Sequence, residues 1–316
     1  MVRPLSLAQH TLYADLLEQG IDELFDPEFP ENGSILVRGN RAGAPADHAY
    51  YQGYRPAAGS NDRGQRYARY LGRADEPAVA ARIARFQRVK AVRAERATTV
   101  RALIGAGMPR PDRITGRIIE AFARAGLFAA DAVLLGHAAQ QTYDGVLGVR
   151  LSKPAKMVTG EQPAVEIAVR DRARLEDIGD ALHAIDPSFS AEPDTPGYYR
   201  SQSGARVAVV SPDQAEEGAS DPISFHIADP VQTIVLHGHG ILVTVPAPER
   251  FAVHALIERD TRAHSLIEAL ASAGRQHVLA RAMATALRSG QLSNTLLAEG
   301  LSQMRPDLVA MIEALI

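Results

Sequence analysis

Apolar residues recur along this chain at two spacings, and the spacings divide it. Between residues 6 and 25, Leu7, Leu12, Ala14, Leu16, Leu17 and Ile21 fall near one face of a helix. GSILVRG (33–39) has the alternation of a short strand. HAYYQGYRP (48–56) and QRYARYLG (65–72) predict a hairpin around a loop rich in Gly, Ser, Asn and Asp. The longest helical pattern covers 75–107, opened by Pro77 and closed by Gly105 and Gly107. Its apolar stripe reads Val79, Ile83, Phe86, Val89, Val92, Val100 and Leu103. A shorter helix is expected over 115–126.

The middle of the chain changes character. AVLLG (132–136) is an apolar strand ending in Gly, followed by HAAQQTYDGVLGVRL, a short helix and turn. From Ala164 the run AVEIAV alternates like a strand, yet Glu166 stands inside it. A helix over 170–189 ends at Pro187, and GYYRSQSGARVAVVSP (197–212) reads as a hairpin across Ser203-Gly204. Strands follow at 233–238 and 241–246. Beyond Pro248 nearly everything is helical, with breaks expected at Gly274, Gly290, Gly300 and Pro306. Strands and helices mixed in this order define an α+β or mixed α/β core. Three regions result: 1–110 with a helix, hairpin and long basic helix, 111–247 as the core, and 248–316 as a helical region.

Composition narrows the function classes. The 316 residues are 46% hydrophobic and 22% charged, ordinary for a globular protein. No run of about 18 apolar residues would span a membrane, and the start reads as an amphipathic helix with acidic residues rather than a signal peptide. Zero cysteines excludes disulfides, thiolate metal sites and a Cys nucleophile. A cytoplasmic location is the resulting expectation. Net charge is −3, and the cations are arginines apart from Lys90, Lys153 and Lys156, which genomic base composition accounts for. On the long helix Arg82, Arg85, Arg88, Lys90, Arg93, Arg96 and Arg101 face only Glu95 locally. This is either a solvated face or a phosphate-backbone surface with Arg85, Arg88, Arg93 and Arg96 as nucleic-acid contacts. Tyr50, Tyr51, Tyr54, Tyr67 and Tyr70 would add stacking surfaces or simply pack the hairpin.

LLGHAAQQTYDG is a strand that ends in Gly and opens directly into a helix. Gly136 and His137 would there let a phosphate approach free backbone donors. A short βα unit, a strand carrying an acid, a helix and a hairpin resemble the order found in nucleotidyltransferases of the DNA polymerase beta type. In detail the chain resembles an uncharacterised bacterial family of nucleotidyltransferase-fold proteins. The matching segments are YYQGYRP…RYARYLG, FQRVKAVRAERATTVRALI, AVLLGHAAQQTYDGVLGVRL, LEDIGDALHAIDPSF, SGARVAVVSP and VLHGHGILVTVPAPERFAVHALI, over roughly residues 49 to 258. The fold so implied is a nucleotidyltransferase-like mixed sheet core flanked by the N-terminal hairpin and long helix and by the C-terminal helices.

That resemblance also sets expectations for the site. Such enzymes hold two magnesium ions roughly 3.5–4 Å apart on carboxylates at alternate positions of one strand and a third on a neighbouring strand. The family's Asp-x-Asp falls on Ala164, Val165 and Glu166, so Glu166 is the expected catalytic and metal-binding carboxylate. The third acid falls at Ala208, and His137 stands where a small hydroxylated residue is usual. Where the family has His-Lys, this chain has His254-Ala255. Glu161 offers no substitute, because an odd separation from Glu166 points to the opposite strand face and Pro163 intervenes. His237 and His239, with His226 and His254, form a weak zinc pattern beside the plainer reading of polar residues at a strand turn. Two functions remain open. One is a degenerate nucleotidyltransferase serving as a nucleotide-, nucleic-acid- or protein-binding scaffold, without a cofactor. The other is an active enzyme moving a nucleoside monophosphate from an NTP to protein or RNA with Mg2+. An NTP, a nucleic acid or a partner protein is the expected partner, and no membrane.

Overall fold

The computed structural model describes residues 2–19, 29, 31–39, 47–55, 65–151, 163–170, 174–212, 221–260, 262–302, 304 and 306–314. The chain divides into two compact units, residues 20–98 and residues 1–19 with 99–316. The boundaries expected near 110 and 247 both fall inside the second of these.

The larger unit begins with β1 (Arg3–Pro4) and α1 (Leu7–Glu18). Ser6 and Gln9 cap α1 reciprocally, each side chain accepting from the other residue's backbone N–H. The smaller unit contributes β2 (Ser34–Arg38), β3 (His48–Arg55) and β4 (Gln65–Arg73), an antiparallel meander in that order. Its core is aromatic. Tyr51 is fully buried, with the rings of Phe29, Tyr67 and Phe86 centred 5.5–6.0 Å away. Of the expected stacking tyrosines, Tyr54 and Tyr70 are exposed and Tyr51 belongs to this core.

The long helix α2 (Pro77–Gly105) starts in the smaller unit. Its buried stripe is Val79, Phe86, Val89, Arg93, Arg96, Val100 and Leu103. Val92, expected in the stripe, is 40% exposed. Steps of three and four from Phe86 pass through residues 89, 93, 96, 100 and 103, so position 92 lies about 70° off the middle of the buried line. Arginines occupy two places where the pattern predicts aliphatic contact.

The rest of the larger unit continues with α3 (Arg113–Arg124), α4 (Leu127–Ala130), β5 (Val133–Leu134), α5 (Gly136–Gln140), α6 (Tyr143–Leu147) and β6 (Val149–Arg150). Next come β7 (Val165–Ala168), α7 (Arg174–Ile185), β8 (Ser190–Ala191), β9 (Tyr198–Arg200) and β10 (Arg206–Val210). Then follow α8 (Pro222–His226), the hairpin strands β11 (Val231–Val235) and β12 (Ile241–Val245), and α9 (Pro248–Ile257). The chain ends in α10 (Arg262–Ser272), α11 (Gln276–Arg288), α12 (Asn294–Ser302) and α13 (Pro306–Glu313). The central sheet has the order β5-β7-β10-β9-β8, with β7 and β10 parallel and the other pairs antiparallel. This is a mixed α+β architecture, as the sequence predicts.

One face of that sheet carries Leu134, Val165, Ile167, Val207 and Val209 into the main core, which also takes Ile118, Phe122, Phe251 and Leu266 from the helices. Gly274 and Gly290 end helices with positive φ, as expected. Gly300 does not break a helix. It lies inside α12, where a methyl group would sit 2.5 Å from the Leu256 side chain, so it serves close packing instead. Among the described residues no helix is long and apolar enough to cross a membrane.

Tyr13 of α1 ties the start of the chain to this unit. Its hydroxyl is 2.5 Å from Thr233 Oγ1 and accepts from the Ile234 N–H at 3.2 Å. Its ring lies against the α-carbon of Gly145, leaving no room for a side chain there. Gly145→Ala is therefore expected to lower stability by at least about 2 kcal/mol through overpacking. Gly179 in α7 has nothing near its α-carbon, and Gly179→Ala is expected to raise stability by about 0.5–1 kcal/mol. Urea midpoints of the two variants check this, and matching shifts would count against the packing account.

Candidate functional site

The site is built on the sheet face opposite the core. Since side chains alternate along a strand, Ala164, Glu166 and Ala168 turn away from Val165 and Ile167. In the parallel β7–β10 register, Ala208 stands directly opposite Glu166. The Ala164 N–H donates to the Arg206 carbonyl at 2.7 Å, which carries the same alignment one step further. Sequence positions 164, 166 and 208 therefore come together on one face, and two of the three side chains are methyl groups. At the Ala168 end this face is closed by an apolar cluster of Val133, Leu135, Ala168 and Ile227, with Ile223 packed against it.

On the other side of Glu166 lies the β5–α5 turn. The Leu135 N–H donates to the Glu166 carbonyl at 2.8 Å, and Gly136 follows with φ of 61°. A methyl group on Gly136 would lie 2.8 Å from Glu166 Oε2, so the carboxylate rests against the glycine. Both properties of Gly136 are needed, its positive φ and its bare α-carbon. Burial raises the Glu166 pKa above the usual carboxyl range, and the charge of Arg262 draws it part of the way back.

Arg262 is the cation of this region. It opens α10, is 17% exposed, and makes an ion pair with Asp260. Burial pushes the Asp260 carboxyl up, but hydrogen bonds and charge from Arg262 outweigh it and hold the pKa low. His137, next to Gly136, is pushed down by burial and by Arg262, against a pairing with Gln140 that favours the protonated ring. His254 is pushed down by burial and by Arg262, against Glu258 and Asp260. His254 and His226 meet edge to face with ring centres 4.1 Å apart, and burial holds His226 well below its ordinary pKa. His237 is elsewhere, in the β11–β12 turn with its ring over Gly116. Among the described residues no group of three or more His, Cys, Asp or Glu side chains could hold a metal ion. Glu161 lies outside the described residues.

The four expected nucleic-acid contacts part company. Arg85 and Arg88 are exposed on α2, while Arg93 and Arg96 are buried, Arg93 pairing with Glu31 at 2.8 Å. The structure thus leaves two of these cations on the solvent side.

A cavity of about 600 Å³ opens beside α5 and α6, lined among others by Met108, Arg110, His137, Asp144, Arg150 and Leu151. Asp144 is 1% exposed. Its Oδ1 accepts from the Leu151 N–H at 3.1 Å, and its Oδ2 is buried with no partner among the described residues. Burial pushes its pKa up to about 6, against the Leu151 hydrogen bond and the Arg150 charge. Sequence reasoning passed over Asp144, although His137, Gln140, Gln141 and Asp144 repeat at helical spacing through the run HAAQQTYD. Arg262 gives no such signal, since an arginine after an aspartate at a helix start is commonplace.

A family model described as Nucleotidyltransferase matches residues 113–297, and the chain belongs to that family. The match runs from the start of α3 into α12 and leaves the smaller unit outside it. No curated protein and no solved structure matches the chain.

The buried Asp144 has a cost that can be measured. Its carboxyl ionises near 3.8 when unperturbed and near 6 when folded. The native state thus loses stability as pH rises between these values, and the full loss is present above the folded pKa. A shift of this size corresponds to at most about 3 kcal/mol. Asp144→Asn keeps an acceptor for Leu151 and removes the charge. It is expected to gain about 1–3 kcal/mol at pH 7.5 and little at pH 4, as read by urea denaturation at both values. A gain equal at the two pH values would refute the burial account.

Proposed function

We propose that this nucleotidyltransferase-family chain binds a nucleotide as a scaffold and does not carry out two-metal transfer. The observation that carries the reading is the neighbourhood of Glu166. The two positions that would share metal ions with it hold Ala164 and Ala208, whose methyl groups offer no ligand. Two divalent cations need several oxygen donors and the negative charge to match. One carboxylate does not meet that need, and its charge is already opposed by Arg262. The residues present therefore do not fit the paired magnesium ions of the family.

What the neighbourhood does offer suits an anion. Arg262 supplies a fixed, forked cation near Glu166 and His137. His137 stays neutral near pH 7 under burial and the Arg262 charge, so it can donate one hydrogen bond and accept another. A phosphate group held this way needs no metal. Arg85 and Arg88, exposed in the smaller unit, give a weaker nucleic-acid footprint than four arginines would.

Isothermal titration of each NTP, with and without Mg2+, on wild type and Glu166→Ala tests the proposal. Binding is expected without Mg2+, and Glu166→Ala should bind at least as tightly because a repelling carboxylate has gone. Magnesium should change affinity by less than about tenfold, which is about 1.4 kcal/mol. Binding that requires Mg2+ and disappears in Glu166→Ala would instead support transfer of a nucleoside monophosphate with Glu166 as metal ligand. Absence of any binding would sink the nucleotide reading altogether.

A further inference from the structure

The cavity beside α5 and α6 is the second feature of the larger unit that calls for a ligand. Its volume of about 600 Å³ is within the usual range for small-molecule sites, roughly 300–1,000 Å³. Ile104, Met108, Pro109 and Leu151 contribute apolar wall, suited to the faces of a flat ring, and a methionine sulfur adds favourable contact to an aromatic edge. Asp144, 1% exposed, is among the lining residues. One of its oxygens is held by the Leu151 N–H, and the other is buried without a partner among the described residues.

An ionised carboxylate oxygen can only accept, so the group that would complete this site is an N–H or O–H donor. Leaving such an oxygen unpaired in a folded interior is costly, and native structures rarely do so without a reason. The cations are at hand for the other end of a ligand. Arg110 is exposed at the cavity, and Arg150 lines it while one of its Nη atoms donates to the Ala106 carbonyl at 2.5 Å. His137 lines the same cavity and directly follows Gly136, which touches Glu166, so the cavity adjoins the family's site.

We propose that this cavity seats the base of a nucleotide, with Asp144 accepting from an amino group on the base edge and with Arg110 and Arg150 joining His137 and Arg262 in facing the phosphates. This rests on the nucleotide-binding reading above and adds to it the choice of base. A carboxylate acceptor favours an exocyclic amine and rejects an oxo group at the same position, because two acceptors would meet without a proton between them. Sites built to pair a polar group discriminate strongly against ligands that leave it unpaired.

The experiment compares CTP with UTP, and ATP with ITP, by titration calorimetry on the full chain. Within each pair the ligands differ in presenting an amino or an oxo group at one ring position. Wild type is expected to favour the amino member of the pair that binds more tightly, by about tenfold or more. In Asp144→Asn, the carbonyl oxygen stays with the Leu151 N–H and the amide NH2 faces the cavity. That variant should reverse the preference toward the oxo member, an outcome that a merely structural role for Asp144 would not produce. Arg110→Ala should weaken both members alike and keep their ratio, and Glu166→Ala should also keep the ratio. If all four nucleotides bind but wild type shows no preference, or Asp144→Asn keeps the wild-type ratio, the base assignment is wrong and the scaffold reading survives. If none of the four binds, the scaffold reading fails and takes this assignment with it.

Discussion

The contact between the Glu166 carboxylate and the α-carbon of Gly136 fixes the geometry around it. It exists because β7 lies between an antiparallel neighbour, β5, and a parallel one, β10. The antiparallel side brings the β5–α5 turn across Glu166 through the Leu135 N–H, and the parallel side sets Ala208 opposite it. A slip of one residue in either ladder would send Glu166 into the core and turn Val165 or Ile167 toward the cleft. The apolar face, with Val165, Ile167, Val207 and Val209 all buried, forbids that slip. Packing on one face of the sheet thereby determines the chemistry available on the other.

This explains which features are legible in the sequence. The mixed sheet can be read from strands that alternate strongly, such as residues 165–168 and 206–210, because their period is local. The gathering of positions 164, 166 and 208 comes from the resemblance to the family, and the register of β7 with β10 agrees with it. Arg262 and Asp144 are harder. Arg262 reaches the neighbourhood of Glu166 from a helix almost a hundred residues later in the chain, and nothing in its local sequence records that approach. Asp144 is marked only by its helical spacing from His137, although the two lie in separate helices, and such spacing is far more often produced by solvent exposure than by a cavity.

The long helix shows the opposite error. A run of cations at i, i+3 and i+4 reads as a solvated or nucleic-acid-facing surface, since burying arginine is expensive. Arg93 and Arg96 nonetheless lie on the buried line between Val89 and Val100. The ion pair of Arg93 with Glu31 is one reason such burial is tolerated, because a partner at 2.8 Å offsets part of the desolvation. Burial of Arg96 lowers its pKa, as the same physics requires. Apolar periodicity alone places Val92 in that stripe and misses both arginines, because it has no means of recognising a charged residue with a partner.

Buried charge is also the thread joining the candidate site to the cavity beside it. At Glu166 the charge of Arg262 offsets part of the cost of burial, and the pKa remains raised. At Asp144 the Arg150 charge and the Leu151 N–H offset it only in part, and the pKa remains raised. Two carboxylates in one unit, reached through adjacent residues Gly136 and His137, are thus balanced differently. The first has an internal counter-charge where the family's fold would expect metal. The second has a buried oxygen with no partner among the described residues, beside a cavity large enough for a ligand. A carboxylate that already faces an internal cation has less to gain from a further one, whereas an unsatisfied acceptor gains a hydrogen bond from any donor that fits. The difference in their partners therefore favours recognition at Asp144 over metal chemistry at Glu166.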